Sequence, residues 1–305
     1  MTTVPFPRIG LFSKPAGNAI RETLKNLITF IESRNKHTIL LETETASLLD
    51  ISTHGKVFHR KLLGQYCDLV IVVGGDGSLL KAGRAVVDYK VPILGINRGR
   101  LGFMTDISPE QISTHLGKIL DGRYIEDERC LLHVDIVREG KTVFANKAIN
   151  DVVLYNGDMA RLMEFEIFID DQFVMHQRSD GIITATPTGS TAYSLSAGGP
   201  IVYPTLNAFT LVSLYPHTLT SRPIVINDTS VIRYLLPNKK SISHKIACDG
   251  QIHVSLAPND EIYIKKHTNN LKLIHPQDHN HFFLLRNKLG WSTYVGPDRI
   301  QHHAT

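Results

Sequence analysis

Apolar residues change their spacing once along this chain. Over roughly the first 125 positions, unbroken apolar runs alternate with stretches of helical period. Arg8 to Phe12, Leu69 to Val73 and Val91 to Ile96 read as strands, the last two buried on both faces, and Thr38 to Leu41 as a further strand. Between them, Ile20, Leu24, Leu27, Ile28 and Ile31 recur at three and four residues, after the breakers Pro15 and Gly17 and with Asn18 as the expected cap. Ser78 to Val87 is a second helix. Ser108-Pro109-Glu110-Gln111 reads as a capping box with proline at the first helical position. It opens a helix whose apolar face, Ile112, Leu116, Ile119 and Leu120, runs to Gly122. Strands alternating with helices predict an α/β N-terminal domain with a parallel sheet.

Beyond that point the period becomes two. Leu132, Val134 and Ile136 alternate with polar residues, and Glu139-Gly140 is placed to turn the chain back. Phe165, Ile167 and Ile169 repeat the pattern, and Asn150-Asp151 opens a run through Leu154. Val231 to Leu235, Ile252 to Leu256, Glu261 to Ile264 and Leu271 to Ile274 are further short strands between turn residues. This predicts an all-β, sandwich-like C-terminal domain. Phe282 to Leu289 returns to helical spacing. The expected division is 1–126, rejoined by a terminal helix in 277–305, and 127–276 as the β-domain.

Length agrees with two units, since 305 residues divide into two domains of roughly 150. The net charge of +4 is small and its basic residues are scattered, with Lys239-Lys240 and Lys265-Lys266 the densest pairs, so no nucleic-acid footprint is expected. Cys67, Cys130 and Cys248 are far apart and in no CxxC spacing, which reads as free thiols in a reducing compartment. No run approaches the ~18 apolar residues of a membrane span, and Met1 to Arg8 lacks the pattern of a secretory signal. A cytoplasmic protein with no membrane partner is expected. Among 15 histidines, His275, His279 and His281 are the closest group, with His302 and His303 near the end. With no HExxH and no nearby cysteine, a zinc site is not expected, and no metal ligands are assigned.

Candidate chemistry starts at Gly74-Gly75-Asp76-Gly77, between a buried strand and a helix. Glycines let backbone amides approach phosphate oxygens, and a helix N-terminus adds positive potential. A carboxylate there repels phosphate, so Asp76 makes sense as the acceptor of a hydroxyl proton in phosphoryl transfer, or as a metal contact. Read alone, Gly-Asp-Gly is also an ordinary turn. Lys81 does not complete a Walker A loop, and GxGxxG is broken because Leu80 stands where the third glycine would be. The second cluster is Ser179-Asp180-Gly181 followed by Thr186-Pro187-Thr188-Gly189-Ser190-Thr191-Ala192-Tyr193-Ser194-Leu195-Ser196. Six of its last eleven residues carry an aliphatic hydroxyl, suited to ribose and phosphate, and Tyr193 offers a face for a base. A Ser/Thr-capped helix start explains the same residues. Asn150-Asp151 is a turn dipeptide that also suits vicinal hydroxyls.

Together with Leu94-Gly95-Ile96-Asn97, Leu101-Gly102-Phe103, Gly198-Gly199 and Asp249-Gly250-Gln251, these motifs resemble the NAD kinase family, in the family's order over most of the chain. The resemblance implies transfer of the ATP γ-phosphoryl group to the 2′-hydroxyl of the adenosine ribose of NAD, a divalent ion, usually Mg²⁺, and a homo-oligomer, a tetramer or dimer. It implies Asp76 as proton acceptor, with Gly74, Gly75 and Gly77 at the phosphates and Lys81 facing them. Asn150 and Asp151 would hold ribose hydroxyls. Thr191, Ala192, Tyr193, Ser194, Leu195 and Ser196 would bind adenosine, with Phe103 in the same pocket. Arg161, Arg178, Asp180 and Gln251 would lie around the dinucleotide. The family more often has glutamate where Asp151 stands, one methylene longer. Gly-Gly-Asp-Gly alone is shared with diacylglycerol-type lipid kinases, and the binding cluster alone would suit a non-catalytic dinucleotide sensor.

Overall fold

The computed structural model describes residues 4–14, 17–51, 56–99, 102–157, 162–237 and 243–291. Pro15, Leu101, Arg161, the pair Lys239-Lys240, His302 and His303 lie outside them. The chain forms two units, Met1–Asp127 with Lys272–Thr305, and Glu128–Leu271.

In chain order the strands are β1 (Arg8–Ser13), β2 (Thr38–Glu42), β3 (Val57–Phe58), β4 (Leu69–Gly74), β5 (Ile93–Asn97), β6 (Ile125–Arg129), β7 (Leu132–Arg138), β8 (Lys141–Ala148), β9 (Asp151–Asn156), β10 (Met163–Ile169), β11 (Gln172–Ser179), β12 (Gly181–Ala185), β13 (Ala208–Leu214), β14 (Ile224–Asn227), β15 (Ile232–Leu235), β16 (His244–Cys248), β17 (Ile252–Ser255), β18 (Glu261–Lys266) and β19 (Leu271–His275).

The first unit holds a sheet of order β3-β2-β1-β4-β5-β19-β6, mostly parallel. Strand β4 is buried at every residue, as its unbroken apolar run requires when helices cover both faces. Helix Gly17–Ser33 buries Ile20, Leu24, Leu27 and Ile31 on the sheet. It starts at Gly17, so Asn18 sits in its first turn and does not cap it. The capping box forms, with Gln111 Oε1 accepting from the Ser108 N–H at 3.0 Å. The helix behind it is not uniform. Pro109–Gln111 is a tight 3₁₀ turn, Ile112–Leu116 a wider π-type turn and Gly117–Leu120 α-helical, and the mixture still buries Ile112, Leu116, Ile119 and Leu120.

The second unit is a sandwich of two antiparallel sheets, β11-β10-β15-β18-β7-β8 and β14-β13-β12-β9-β16-β17. The alternating residues of β7 and β10 meet Val152, Leu154, Ile182, Phe209 and Ile246 of the other sheet in one core. Glu139-Gly140 turns β7 into β8 with both residues at positive φ, the conformation that suits a two-residue hairpin. Strand β19, read from the sequence as part of the β-domain, instead pairs with β5 in the first unit's sheet. Its alternating apolar residues suit either sheet, and only the pairing partner decides. Helix His281–Leu289 follows it in the same unit. No helix among the described residues is long and apolar enough to cross a membrane.

Candidate functional site

The first unit's strand order reverses between β1 and β4, because β2 and β5 lie on opposite sides of that pair. Open parallel sheets bind ligands beyond the carboxyl ends of strands at such a point. Gly74 ends β4 there. The following helix begins at Asp76, not at Ser78 as the apolar spacing suggests. Gly75 is its cap and carries no side chain, and Asp76 places a carboxylate at the positive end of the helix dipole.

The Asp76 carboxylate is held by a segment 27 to 29 residues downstream. Oδ2 accepts the Phe103 N–H at 2.8 Å, and Oδ1 accepts the Met104 N–H at 3.1 Å and the Thr105 hydroxyl at 3.2 Å. The approach is possible because residue 102 is glycine: a Cβ there would lie 2.1 Å from Asp76 Oδ1. An ionised carboxylate has about four lone-pair sites. Three are used by these donors, which leaves one on Oδ2. Phe103 itself is half-buried, with Lys288 Nζ 5.5 Å from its ring centre. Lys81, expected to face phosphates, is instead bound to Glu44 at 3.0 Å beside Arg60. The hydrogen bond from Lys81, with Arg60 adding its charge, holds the Glu44 carboxyl below the usual range. Position 44 carried no sequence signal linking it to position 81.

The second unit has a cavity of about 470 Å³ on the outer face of the β9-containing sheet. Val153, Tyr155 and Ala247 form its floor, and Asn150, Asp151, Tyr193 and Asp249 stand around it. Strands β9 and β12 read as unbroken apolar runs because this face is covered as well as the core face. Thr186 ties the cluster to β9 by donating its hydroxyl proton to the Ile149 carbonyl at 2.6 Å. A Cβ on Gly189 would stand 1.9 Å from the Asn150 carbonyl oxygen. Gly189→Ala is therefore expected to lower unfolding free energy by about 1–3 kcal/mol, as overpacking does. Urea unfolding checks this, and an unchanged midpoint would refute the close approach.

Asp249 organises the pocket's entrance. Its carboxylate accepts backbone N–H groups of Ile149 at 3.1 Å, Asn150 at 2.7 Å and Asp151 at 3.3 Å. The Asn150 side-chain oxygen is buried without a hydrogen-bond partner. Asp151 is 4% exposed, and burial, aided by the Asp249 charge, pushes its carboxyl up to about 7. Tyr193 is 49% exposed, its ring open to a ligand.

The other expected residues divide. Ala192 lines the cavity with Tyr193. Thr191, Ser194, Leu195 and Ser196 do not, since the turn that aims Tyr193 at the cavity directs its neighbours elsewhere; Thr191 donates to the Thr188 carbonyl at 3.2 Å. Arg178 is exposed on β11 and pairs with Glu164 at 3.2 Å. Asp180 and Gln251 are exposed, Gln251 in the turn between β16 and β17. Tyr155, Asp249 and His253 were missed as site residues, although Asp249-Gly250 in a hairpin turn was available as a signal.

A second cavity, about 560 Å³, lies in the first unit beyond β5, lined by Asn97, Arg98, Asp106, Ser108 and Glu110 among others. Behind Asp106 stand His275 and His279. Both direct Nδ1 at Asp106 Oδ2, at 2.9 and 2.7 Å, and their rings stack 3.9 Å apart. Of the three histidines closest in the sequence, His275 and His279 thus meet, around a carboxylate that spacing did not suggest.

Comparison with known proteins agrees with this architecture. Residues 16–124 match the ATP-NAD kinase N-terminal domain and 149–276 the ATP-NAD kinase C-terminal domain. The chain is 48% identical over 291 residues to the NAD kinase of Teredinibacter turnerae, covering 95% of this chain and 99% of that protein. It is 46% identical over 292 residues to the NAD kinase of Ectopseudomonas mendocina, covering 95% and 98%. Among solved structures, yeast NADH kinase complexed with NADH superposes with a TM-score of 0.86 at 25% identity, over 96% of this chain and 90% of that one. An NAD kinase from Archaeoglobus fulgidus in complex with ATP shares the fold with a TM-score of 0.71 at 24% identity, over 95% and 100%. With both domains matched and nearly half of all residues shared with full-length relatives, the chain belongs to the NAD kinase family and is a phosphotransferase of that family.

Proposed function

We propose that this protein transfers the γ-phosphoryl group of ATP to the 2′-hydroxyl of the adenosine ribose of NAD, releasing ADP and NADP. The observation that carries this reading is the Asp76 carboxylate, fixed by three donors at a glycine-lined helix N-terminus with one acceptor position left. In the step itself the bond from the γ-phosphorus to the β–γ bridging oxygen breaks and a bond to the 2′-oxygen forms. The hydroxyl proton passes to Asp76 and then to solvent. Catalysis of this kind is mainly positioning, because the transition state is loose and the hydroxyl loses its proton late.

The backbone amides at Gly74, Gly75 and Gly77 suit the phosphates of ATP. The orphaned Asn150 oxygen suits a ribose hydroxyl donor, and Asp151 beside it can donate or accept near neutral pH. Tyr193 and Ala192 suit an adenine face. Arg161, Arg178, Asp180 and Gln251 are retained only as peripheral contacts. Mg²⁺ belongs with ATP in this reading. Three of Asp76's acceptor positions are already used, so the fit is to an ion that keeps its waters and is held mainly by substrate phosphates. It would supply charge neutralisation.

We place the protein in the cytoplasm as a homo-oligomer. Buried Cys67 and Cys248 and half-buried Cys130 form no disulfide among the described residues, with burial pushing Cys67 up to about 12 and Cys130 up to about 11. Tyr215 and Leu219, 81% and 97% exposed, and Val225 on edge strand β14 supply apolar surface for a second copy. The test is a coupled assay of NADP formation with ATP or polyphosphate as donor and NAD or NADH as acceptor. Formation of NADP from NAD and ATP is expected. No product across a series of divalent ions would overturn the reading, and phosphorylation of diacylglycerol vesicles would redirect it.

A further inference from the structure

We propose that Asp106, His275 and His279 bind one transition-type dication of the zinc class. Their three donor atoms lie within 4.8 Å of one another, and the side chains are 10%, 1% and 11% exposed. Two imidazole nitrogens with one carboxylate oxygen suit Zn²⁺ or its neighbours, whereas Mg²⁺ prefers oxygen alone. The site is therefore separate from any ion carried by ATP.

Two protons now occupy the place of the ion. Both Nδ1 atoms face the same carboxylate oxygen, which only accepts, so both imidazoles carry hydrogen at Nδ1. An ion about 2.0–2.2 Å from each donor would replace those protons after a small opening of the cluster. Each ring would then carry its hydrogen at Nε2. For His275 this change answers a second observation. Its Nε2 is buried without a hydrogen-bond partner, and Asp127 Oδ2 lies 3.8 Å away. Once protonated, Nε2 would donate to Asp127, the carboxylate–histidine–metal arrangement that orients such ligands. Asp106 also lines the 560 Å³ cavity, which offers an entry path and room for water as the fourth ligand.

The position gives the ion a structural consequence. Asp106 directly follows the Phe103–Thr105 segment that holds Asp76, and His275 and His279 precede the helix that carries Lys288 over Phe103. A bound ion would brace the C-terminal segment against the clamp.

The experiment uses the full chain, stripped with a chelator and titrated with Zn²⁺ and, separately, Co²⁺. One ion per chain is expected, with visible Co²⁺ absorption of four-coordinate intensity and a Zn²⁺-dependent rise in melting temperature. His279→Phe should abolish the Co²⁺ absorption, and Asp127→Asn should weaken Zn²⁺ binding by about 10–100-fold. His281→Phe, and alanine at both His302 and His303, should leave binding intact. If His279→Phe does not fold, His279→Gln is read by the missing Zn²⁺ shift in melting temperature. No stoichiometric binding to the wild-type chain, or binding untouched by the His279 variants, would overturn the proposal and leave a hydrogen-bonded cluster.

Discussion

Asp76→Asn is expected to lower kcat by about 10²–10⁴-fold, the range typical of a positioned general base. The amide cannot accept the 2′-hydroxyl proton. The structure adds a second consequence. Three donors converge on the carboxylate, from Phe103, Met104 and Thr105. Asparagine has one oxygen and one amino group, so at least one donor must face another. An unsatisfied buried donor costs about 1–3 kcal/mol, so the variant should also unfold more easily. Thr105→Val separates the two effects. It removes one donor while leaving the carboxylate and both backbone contacts, so it should disturb the clamp and keep most turnover. Steady-state kinetics, with NAD binding measured by calorimetry, check both variants. Asp76→Asn turnover within a few-fold of wild type would remove Asp76 from the chemistry. An equal loss in Thr105→Val would make the clamp, and not the base, the source of the effect.

Asp151→Asn is expected to make the protein more stable above neutral pH. Burial and the Asp249 charge raise the folded-state value from 3.8 to about 7. Below about pH 4 the side chain is protonated in both folded and unfolded chains, and it favours neither. Between about 4 and 7 the unfolded chain ionises while the folded chain keeps its proton, so stability falls as pH rises. Above 7 both are ionised and the loss is complete. At 1.36 kcal/mol per pKa unit, the gap is on the order of 4 kcal/mol. Asparagine is neutral throughout, so variant and wild type should agree below about pH 4, diverge up to about pH 7 and keep a constant gap above it. Denaturant unfolding at several pH values measures this. Parallel curves would show that Asp151 is not the group responsible. The same burial places a titrating carboxyl beside the orphaned Asn150 oxygen, so substrate binding should share the pH window.

What could be read from the chain follows from the range of each interaction. Strands β1, β4 and β5 were legible because a strand covered on both faces must be apolar throughout, and β7 and β10 because a half-covered strand alternates. Gly74-Gly75-Asp76-Gly77 was legible because it stands directly between a fully apolar strand and a helix, the place where a glycine turn can meet phosphates. Strand β11 was not legible: it lies at a sheet edge, and QFVMHQRS carries neither pattern cleanly. Mixed 3₁₀, π and α turns after Ser108 were hidden because all three can bury the same apolar residues.

The amino-acid sequence by itself determined the two kinds of domain, the glycine turn with its carboxylate, and the family, because these rest on local period and on short contiguous motifs. Tertiary structure alone decided which sheet β19 joins, that Lys81 is held by Glu44, that Asp249 grips the backbone ahead of β9, and that two of the six residues from Thr191 to Ser196 line the cavity. It also brought Asp106 to His275 across 169 positions. Each of these depends on a partner remote in the chain. A strand, a lysine or a histidine carries the chemistry for several partners, and only closure of the fold selects one.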